Sequence, residues 1–274
     1  MKLIIFDQEK KETGKIDLPI QFSEEIRPDL IKRAVLTLNA NNRQPYSPDP
    51  RAGKKASALV SKRRRNYRGS YGKGISRVPR KILTRRGSQM NWVGAFAPQT
   101  RGGRRAHPPN IEKIWEKKIN KKENRKAICS AIAGSINIDY IKARNHIIPK
   151  EFPFIIDNSF EEINKTKDLL KALKSLGFQE ELKRVSEIKI RAGRGKMRGR
   201  KYITKKGPLI VVSKKCPLLK FGNNIPGVDI VKINELNAAL LAPAAQPGRL
   251  TLYTKGAIEI LNNGLFQTTQ NKNT

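Results

Sequence analysis

Apolar positions in this chain follow two periods, and one long stretch follows neither. Residues 2–6 (Lys-Leu-Ile-Ile-Phe) alternate weakly and predict a strand. Over 28–40, Leu30, Ile31, Ala34, Val35 and Leu38 recur at helical spacing, and Pro28 suits a first turn, where a missing N–H costs nothing. A second helix is predicted over 123–145, with Ile128, Ala131, Ile132 and Ile136 on one side. Next come a strand at 154–157, a helix at 166–176 stopped by Gly177, and an unbroken apolar run at 209–213, typical of a strand buried on both faces. A strand at 228–233, a short helix at 235–241, a strand at 250–253 and a helix at 255–262 complete the pattern. Strands alternating with helices indicate an α/β class. The expected architecture is a single globular domain, a mainly parallel sheet flanked by helices, built from residues 1–42 and 111–266. A long extended basic arm of irregular structure, residues 43–110, interrupts it, and residues 267–274 form a flexible polar tail.

Charge changes the meaning of the patternless stretch. The chain carries 57 Lys and Arg against 23 Asp and Glu, a formal net charge of +34. Self-repulsion of that size opposes compaction, so it implies a polyanionic partner. Residues 43–110 hold 18 Lys and Arg against one acid, Asp49, a balance of +17 and thus half the net charge in a quarter of the length. The same residues hold eight Gly and seven Pro and few branched aliphatics. Such a stretch buries too little apolar surface to offset its ordering entropy, and it is too long for an ordinary connector. Function or disorder has to explain it.

Its chemistry suits RNA. Lys62, Arg63, Arg64, Arg65 and Arg68 surround Tyr67, with Arg43, Arg51 and Lys54 before them. Lys73, Arg77, Arg80, Lys81, Arg85 and Arg86 follow, then Trp92 and Phe96 precede Arg101, Arg104, Arg105 and His107. Guanidinium groups fork onto phosphate oxygens, and aromatic rings between them stack on unpaired bases. A second cluster contains Arg191, Arg194, Lys196, Arg198, Arg200 and Lys201, interleaved with Gly193, Gly195 and Gly199. It fails as a nucleotide loop. Arg198 stands where a dinucleotide fingerprint needs its third glycine, Met197 follows Lys196 where a Walker motif needs Ser or Thr, and the glycines precede a strand rather than follow one. A Gly–Arg loop on nucleic-acid phosphates is the better reading.

Other chemistry is thin. His107 and His146 are the two histidines, and the pairs Glu24–Glu25, Glu161–Glu162 and Glu180–Glu181 read as solvated faces. Cys129 and Cys216 are far apart and read as free thiols of a reducing compartment, Cys129 in the core. No catalytic residue, metal site, cofactor or small-molecule substrate is expected. The first residues are not a signal peptide, and no apolar run is long enough for a bilayer.

Several segments together resemble the universal large-subunit ribosomal protein L-four family, in its archaeal form. They are residues 27–31 (Arg-Pro-Asp-Leu-Ile) running on to Gln44 and Tyr46, residues 74–80 (Gly-Ile-Ser-Arg-Val-Pro-Arg), and residues 96–100 (Phe-Ala-Pro-Gln-Thr) with 102–109 (Gly-Gly-Arg-Arg-Ala-His-Pro-Pro). Ile190, Ala192 and Gly193 lead to residues 197–202 (Met-Arg-Gly-Arg-Lys-Tyr), and residues 241–243 and 247–251 close the match. The resemblance implies an α/β domain on the outer face of the large subunit and a loop, here 43–110, that penetrates the rRNA core. It also implies that the loop tip lines the nascent-peptide tunnel, and that the protein joins the subunit early in assembly. The partners would be large-subunit rRNA, neighbouring large-subunit proteins and the nascent chain, with the protein in the cytoplasm within the ribosome and no membrane contact. The midpoint of 43–110 falls among Gly72, Gly74, Ile75 and Ser76, the expected tip, with Arg77 and Arg80 anchoring it. The rival classes are a free basic nucleic-acid protein, which high salt would wash from ribosomes, and an RNA-processing enzyme, which needs an acid–base or metal constellation.

Overall fold

The computed structural model describes residues 1–267. In chain order the strands and helices are β1 (Lys2–Phe6), β2 (Glu12–Asp17), α1 (Pro28–Asn41), β3 (Arg80–Arg86), β4 (Gln89–Gly94), α2 (Lys121–Gly134), α3 (Ile138–Ala143), β5 (Ile155–Ile156), α4 (Thr166–Ser175), α5 (Gln179–Ser186), β6 (Lys189–Ile190), β7 (Tyr202–Ile203), β8 (Leu209–Val212), α6 (Leu218–Phe221), β9 (Asp229–Lys232), α7 (Ala238–Leu241), β10 (Thr251–Tyr253) and α8 (Lys255–Asn262). The fold is mixed α/β. It separates into two compact units, one of Met1–Asn41 with Glu116–Thr274, the other Asn42–Trp115.

In the first unit, β8 lies at the centre of the order β10-β8-β9, and both of its pairings are parallel. Its four residues are all buried. Leu209 and Val211 face a core built with Leu3 and Ile5 of β1, Ile31 and Val35 of α1, Ile128 and Ile132 of α2, and Ile258 of α8. Ile210 and Val212 face a second core with Phe154, Leu169, Leu173, Phe178 and Leu252. This period-2 split between two hydrophobic layers is why the run shows no alternation in sequence. A second small sheet, β2-β1-β5, is mixed: β1 runs antiparallel to β2 and parallel to β5. A parallel bridge from Ile156 to Thr254 joins the two sheets. Where a mainly parallel sheet was expected, the strands form two three-stranded sheets linked at that bridge, with β1–β2 the antiparallel pairing in them. Strand β2 escaped prediction because it is an edge strand of Glu, Thr, Gly, Lys, Ile and Asp with scarcely a buried residue.

Two local departures have clear causes. The helix expected over 123–145 breaks after Gly134. The Ser135 N–H donates to Ala131 and Ile132 carbonyls, and its hydroxyl lies 2.7 Å from the Ile132 carbonyl and 3.0 Å from the Tyr253 hydroxyl. Asn137 then caps α3 by accepting from the Asp139 N–H. Helix α4 ends as expected at Gly177, which takes φ +91° and lets Gly177 and Phe178 donate back to Lys174 and Leu173. The tail expected over 267–274 lies, apart from Gln267, outside the described residues.

The second unit differs from the irregular arm expected. Strands β3 and β4 form a regular antiparallel hairpin, with Arg80 opposite Gly94, Arg86 opposite Gln89 and an irregularity between Ile82 and Thr84. The chain reverses at Gly87 and Ser88. The signal was legible, since a Gly-Ser pair stands between segments carrying Ile82, Met90 and Trp92 at alternating positions. Upstream, Leu59 and Ser61 bridge to Arg80 and Gly69, which closes the loop holding Lys62 to Arg68.

Candidate nucleic-acid interface

The cations of the second unit are organised by its aromatic rings. Trp115 is sandwiched at the root, with the Arg43 guanidinium 3.7 Å and the Lys113 ammonium 4.4 Å from its ring centre, and Tyr46 stacked at 6.3 Å. Lys54 and Arg104 approach Phe96 at 5.5 and 5.4 Å. Arg68 and Arg85 flank Tyr67, whose hydroxyl accepts from Arg85 at 3.1 Å. Arg77 lies 4.5 Å from Tyr71, and Lys73 and Arg80 each lie 5.5 Å from Trp92. Each pairing holds a cation over an electron-rich face without neutralising it. Among the described residues of this unit, Lys55 has a carboxylate within 4 Å, that of Asp49 at 3.2 Å, and the other cations have none. Lys113 and Trp115 fall outside residues 43–110 and were missed. An aromatic beside a lysine just past the boundary was the available sign.

Most predicted contact residues are exposed: Arg43, Arg51, Lys54, Lys62, Arg63, Arg64, Arg65, Tyr67, Lys73, Arg77, Arg85, Arg86, Arg101, Arg105 and His107. Arg68, Trp92 and Arg104 are half-buried. Arg80 stands apart from these residues. It is buried, and its guanidinium donates to the Ser76 carbonyl at 2.6 Å and the Ser76 hydroxyl at 2.8 Å. Its donors are thus turned inward to hold the stretch containing Gly72, Gly74, Ile75 and Ser76. There, Gly72 and Gly74 have φ of +74° and +63°, and Ile75 is half-buried.

The second cluster is a hairpin of the first unit. β6 and β7 pair Lys189 with Ile203 and Ile190 with Tyr202. Between them a 3-10 turn, Arg194–Arg198, is entered at Gly193 and left at Gly199, with φ of +76° and +77° that an L side chain rarely adopts. Arg194, Lys196, Arg198, Arg200 and Lys201 are exposed. Arg191 is half-buried and braces the loop, its Nε donating to the Arg200 carbonyl at 3.0 Å.

What fixes this hairpin is a set of buried charges that the sequence reading took for solvated ones. Glu181 of α5 is fully buried. Its carboxylate accepts from Arg184 Nε at 2.7 Å and Nη2 at 2.6 Å and from the Ile147 N–H at 3.0 Å, and it lies 2.6 Å from His146 Nδ1. Burial opposes its ionisation, but the hydrogen bonds from Arg184, His146 and Ile147 outweigh burial and hold its pKa at about 2. Arg184 also donates to the Lys206 carbonyl, just past β7. Buried Arg249 donates to the Gly207 carbonyl and to Asp229, which also pairs with Lys206. The chain leaving the hairpin is thereby clamped to the core at Lys206 and Gly207. Glu161 is likewise engaged, accepting from Ser213 and Thr254. Cys129 is buried as expected, and burial pushes its thiol up to about 11.

Among the described residues no group of three His, Cys, Asp or Glu is placed to hold a metal ion, and no helix is long and apolar enough to cross a membrane. Fold and surface together define a mixed α/β protein with dense groups of unpaired cations on residues 42–115 and on the Gly–Arg hairpin. Comparison with known proteins refines that class. The model of the ribosomal protein L4/L1 family matches residues 16–264. The large ribosomal subunit protein uL4 of Nanoarchaeum equitans is 50% identical over 262 residues, covering 95% of this chain and 97% of that protein. The proteins of the same name from Archaeoglobus fulgidus and Methanococcus aeolicus are 44% and 43% identical, covering 97% and 96% of this chain and 100% and 99% of theirs. The chain belongs to the ribosomal protein L4/L1 family.

Proposed function

We propose that this protein is a non-enzymatic structural component of the large ribosomal subunit, of archaeal type, and that its work is to bind rRNA. The observation that carries this reading is the surface of residues 42–115, where exposed guanidinium and ammonium groups are spaced by aromatic rings and, Lys55 apart, left without carboxylate partners. Phosphate oxygens would supply the missing partners. Residues 43–110 are the main RNA-binding arm, and the Gly–Arg hairpin is a second contact. Residues 70–80 form the part of the arm that borders the nascent-peptide tunnel, with Arg77 on RNA and Arg80 as an internal brace. Neighbouring large-subunit proteins pack beside it, and it joins early in assembly. Enzyme activity is no part of this reading.

Purified large subunits washed in high salt provide the test. A structural component stays with them, whereas a free basic nucleic-acid protein is released. Cross-linking from position 75 and from position 88 to a stalled nascent chain then examines the tunnel assignment. A cross-link from 88 and none from 75 would move the tunnel contact to the β3–β4 turn.

A further inference from the structure

A phosphate clamp needs cations and a permissive backbone. The Gly–Arg hairpin has more than that. Ile190, Met197 and Tyr202 stand 64%, 77% and 56% exposed, with Ile188 and Ile203 also in solvent. Several exposed apolar side chains on one short charged hairpin mark an interface, unlike single exposed ones. The strand pairing sorts them. Ile190 is opposite Tyr202, so the two share one face of the ribbon, while Lys189 and Ile203 share the other. The Arg191 N–H donates to the Lys201 carbonyl at 2.8 Å, which extends the ribbon by one more pair. The Lys201 ammonium lies 5.4 Å from the Tyr202 ring centre and adds a cation beside it.

Charge selects the occupant. Residues 188–206 contain nine Lys and Arg and no acid. Lys205 and Lys206 are held by Glu187 and Asp229, but Arg194, Lys196, Arg198 and Arg200 are exposed and have no carboxylate within 4 Å among the described residues. An exposed ring with an ammonium beside it, on a hairpin whose turn carries free guanidinium groups, matches a nucleotide whose base is out of its helix, since such a nucleotide offers a π face and a phosphate together. A continuous duplex offers phosphates and groove edges but keeps its π faces inside the stack.

We propose that this hairpin captures an unpaired RNA nucleotide, its base stacked on Tyr202 beside Ile190 and its flanking phosphates on Arg194, Arg198 and Arg200. Arg191 is a positioning residue that closes the loop behind them. The proposal rests on the RNA-binding reading above and adds to it a preference for single-stranded RNA at this one site.

Photo-cross-linking of the full chain separates the two. The probe is a 12-nucleotide single strand of adenosine and uridine carrying 4-thiouridine, used alone and in a perfect duplex, with cross-linked peptides mapped by mass spectrometry. The Tyr202 peptide should cross-link to the single strand and far less to the duplex. Tyr202→Leu should lower its yield by about 5- to 150-fold, the range expected for one base–aromatic stack, while Tyr202→Phe preserves it and peptides of 43–110 cross-link unchanged. Tyr202 is exposed, so both variants should keep the wild-type thermal midpoint. Equal yield from the duplex, or full yield in Tyr202→Leu, overturns base capture and leaves a plain phosphate contact. Cross-links in 43–110 with none in the hairpin overturn the proposal alone, and absence of any cross-link at low salt overturns the RNA reading as well. A photo-reactive residue at 202 that labels a protein rather than rRNA in purified large subunits also refutes it.

Discussion

Glu181 shows how far one residue can depart from its sequence context. A Glu-Glu pair in the first turn of a short, mostly polar helix reads as a wet surface, yet the Glu181 side chain has no exposed area and four polar contacts. Its pKa drops from 4.5 to about 2, so it contributes stability that is fully present above pH 4.5 and is lost as pH falls toward 2. Integrated over that interval, the shift is worth about 3 kcal/mol. Glu181→Gln should destabilise the fold by about 3 kcal/mol at pH 7, because it leaves Arg184 and His146 facing a neutral partner, and should flatten the acid limb of the stability curve. Denaturant midpoints between pH 2 and pH 7 measure both effects. A second residue-scale contrast concerns Arg77 and Arg80. Arg77→Ala should reduce the slope of log affinity against log salt by about 0.7–0.9, the effect of one phosphate contact. Arg80→Ala, which removes a buried brace, should lower thermal stability of residues 42–115 and change the slope less. Equal slope changes would place both arginines on RNA.

Among the elements, β8 and β2 mark the extremes. All four side chains of β8 are enclosed between two hydrophobic layers, whereas β2 is an exposed edge. Ile210→Ala should therefore cost about 2–5 kcal/mol by leaving a cavity, and Thr13→Ala should stay within about 0.5 kcal/mol. Thermal denaturation of the two variants tests the assignment of β8 as the central strand. Hairpins β3–β4 and β6–β7 differ in what supports them. The first has a ladder of six residue pairs, the second only two, and the second relies on the clamps through Lys206 and Gly207. The alternation in β3 and β4 was visible in sequence. The two-residue strands around the Gly–Arg loop were not, since no periodic signal fits in two residues.

At the scale of the whole molecule, the division of the chain sets the prediction. Within the first unit, the Asn41 side chain accepts from the Lys117 N–H at 2.9 Å, so the two chain ends that lead to residues 42–115 are already side by side. Replacing residues 46–106 by a short Gly-Ser linker should leave the α/β unit folded, with near-native far-ultraviolet circular dichroism and a cooperative thermal transition. RNA binding should weaken strongly and become less salt-dependent, yet stay measurable through the Gly–Arg hairpin. Adding Arg194→Ala, Arg198→Ala and Arg200→Ala should reduce the remainder. Complete loss of binding on the deletion alone would remove the second contact from the proposal.

The sequence by itself determined the α/β class, most helices and strands of the first unit, the position of the cation-rich stretch and the separate Gly–Arg cluster. All of these follow from local composition and period, which a chain carries whether folded or not. Tertiary structure alone decided which charges are free. Arg80 and Arg77 stand three residues apart in the same basic run, and only packing turns one inward onto Ser76 and leaves the other exposed. Glu181 became a buried clamp because residues 146 and 147 arrive against α5 from 35 and 34 positions away. Burial and pairing depend on partners distant in sequence, and no period or composition records which partners will meet.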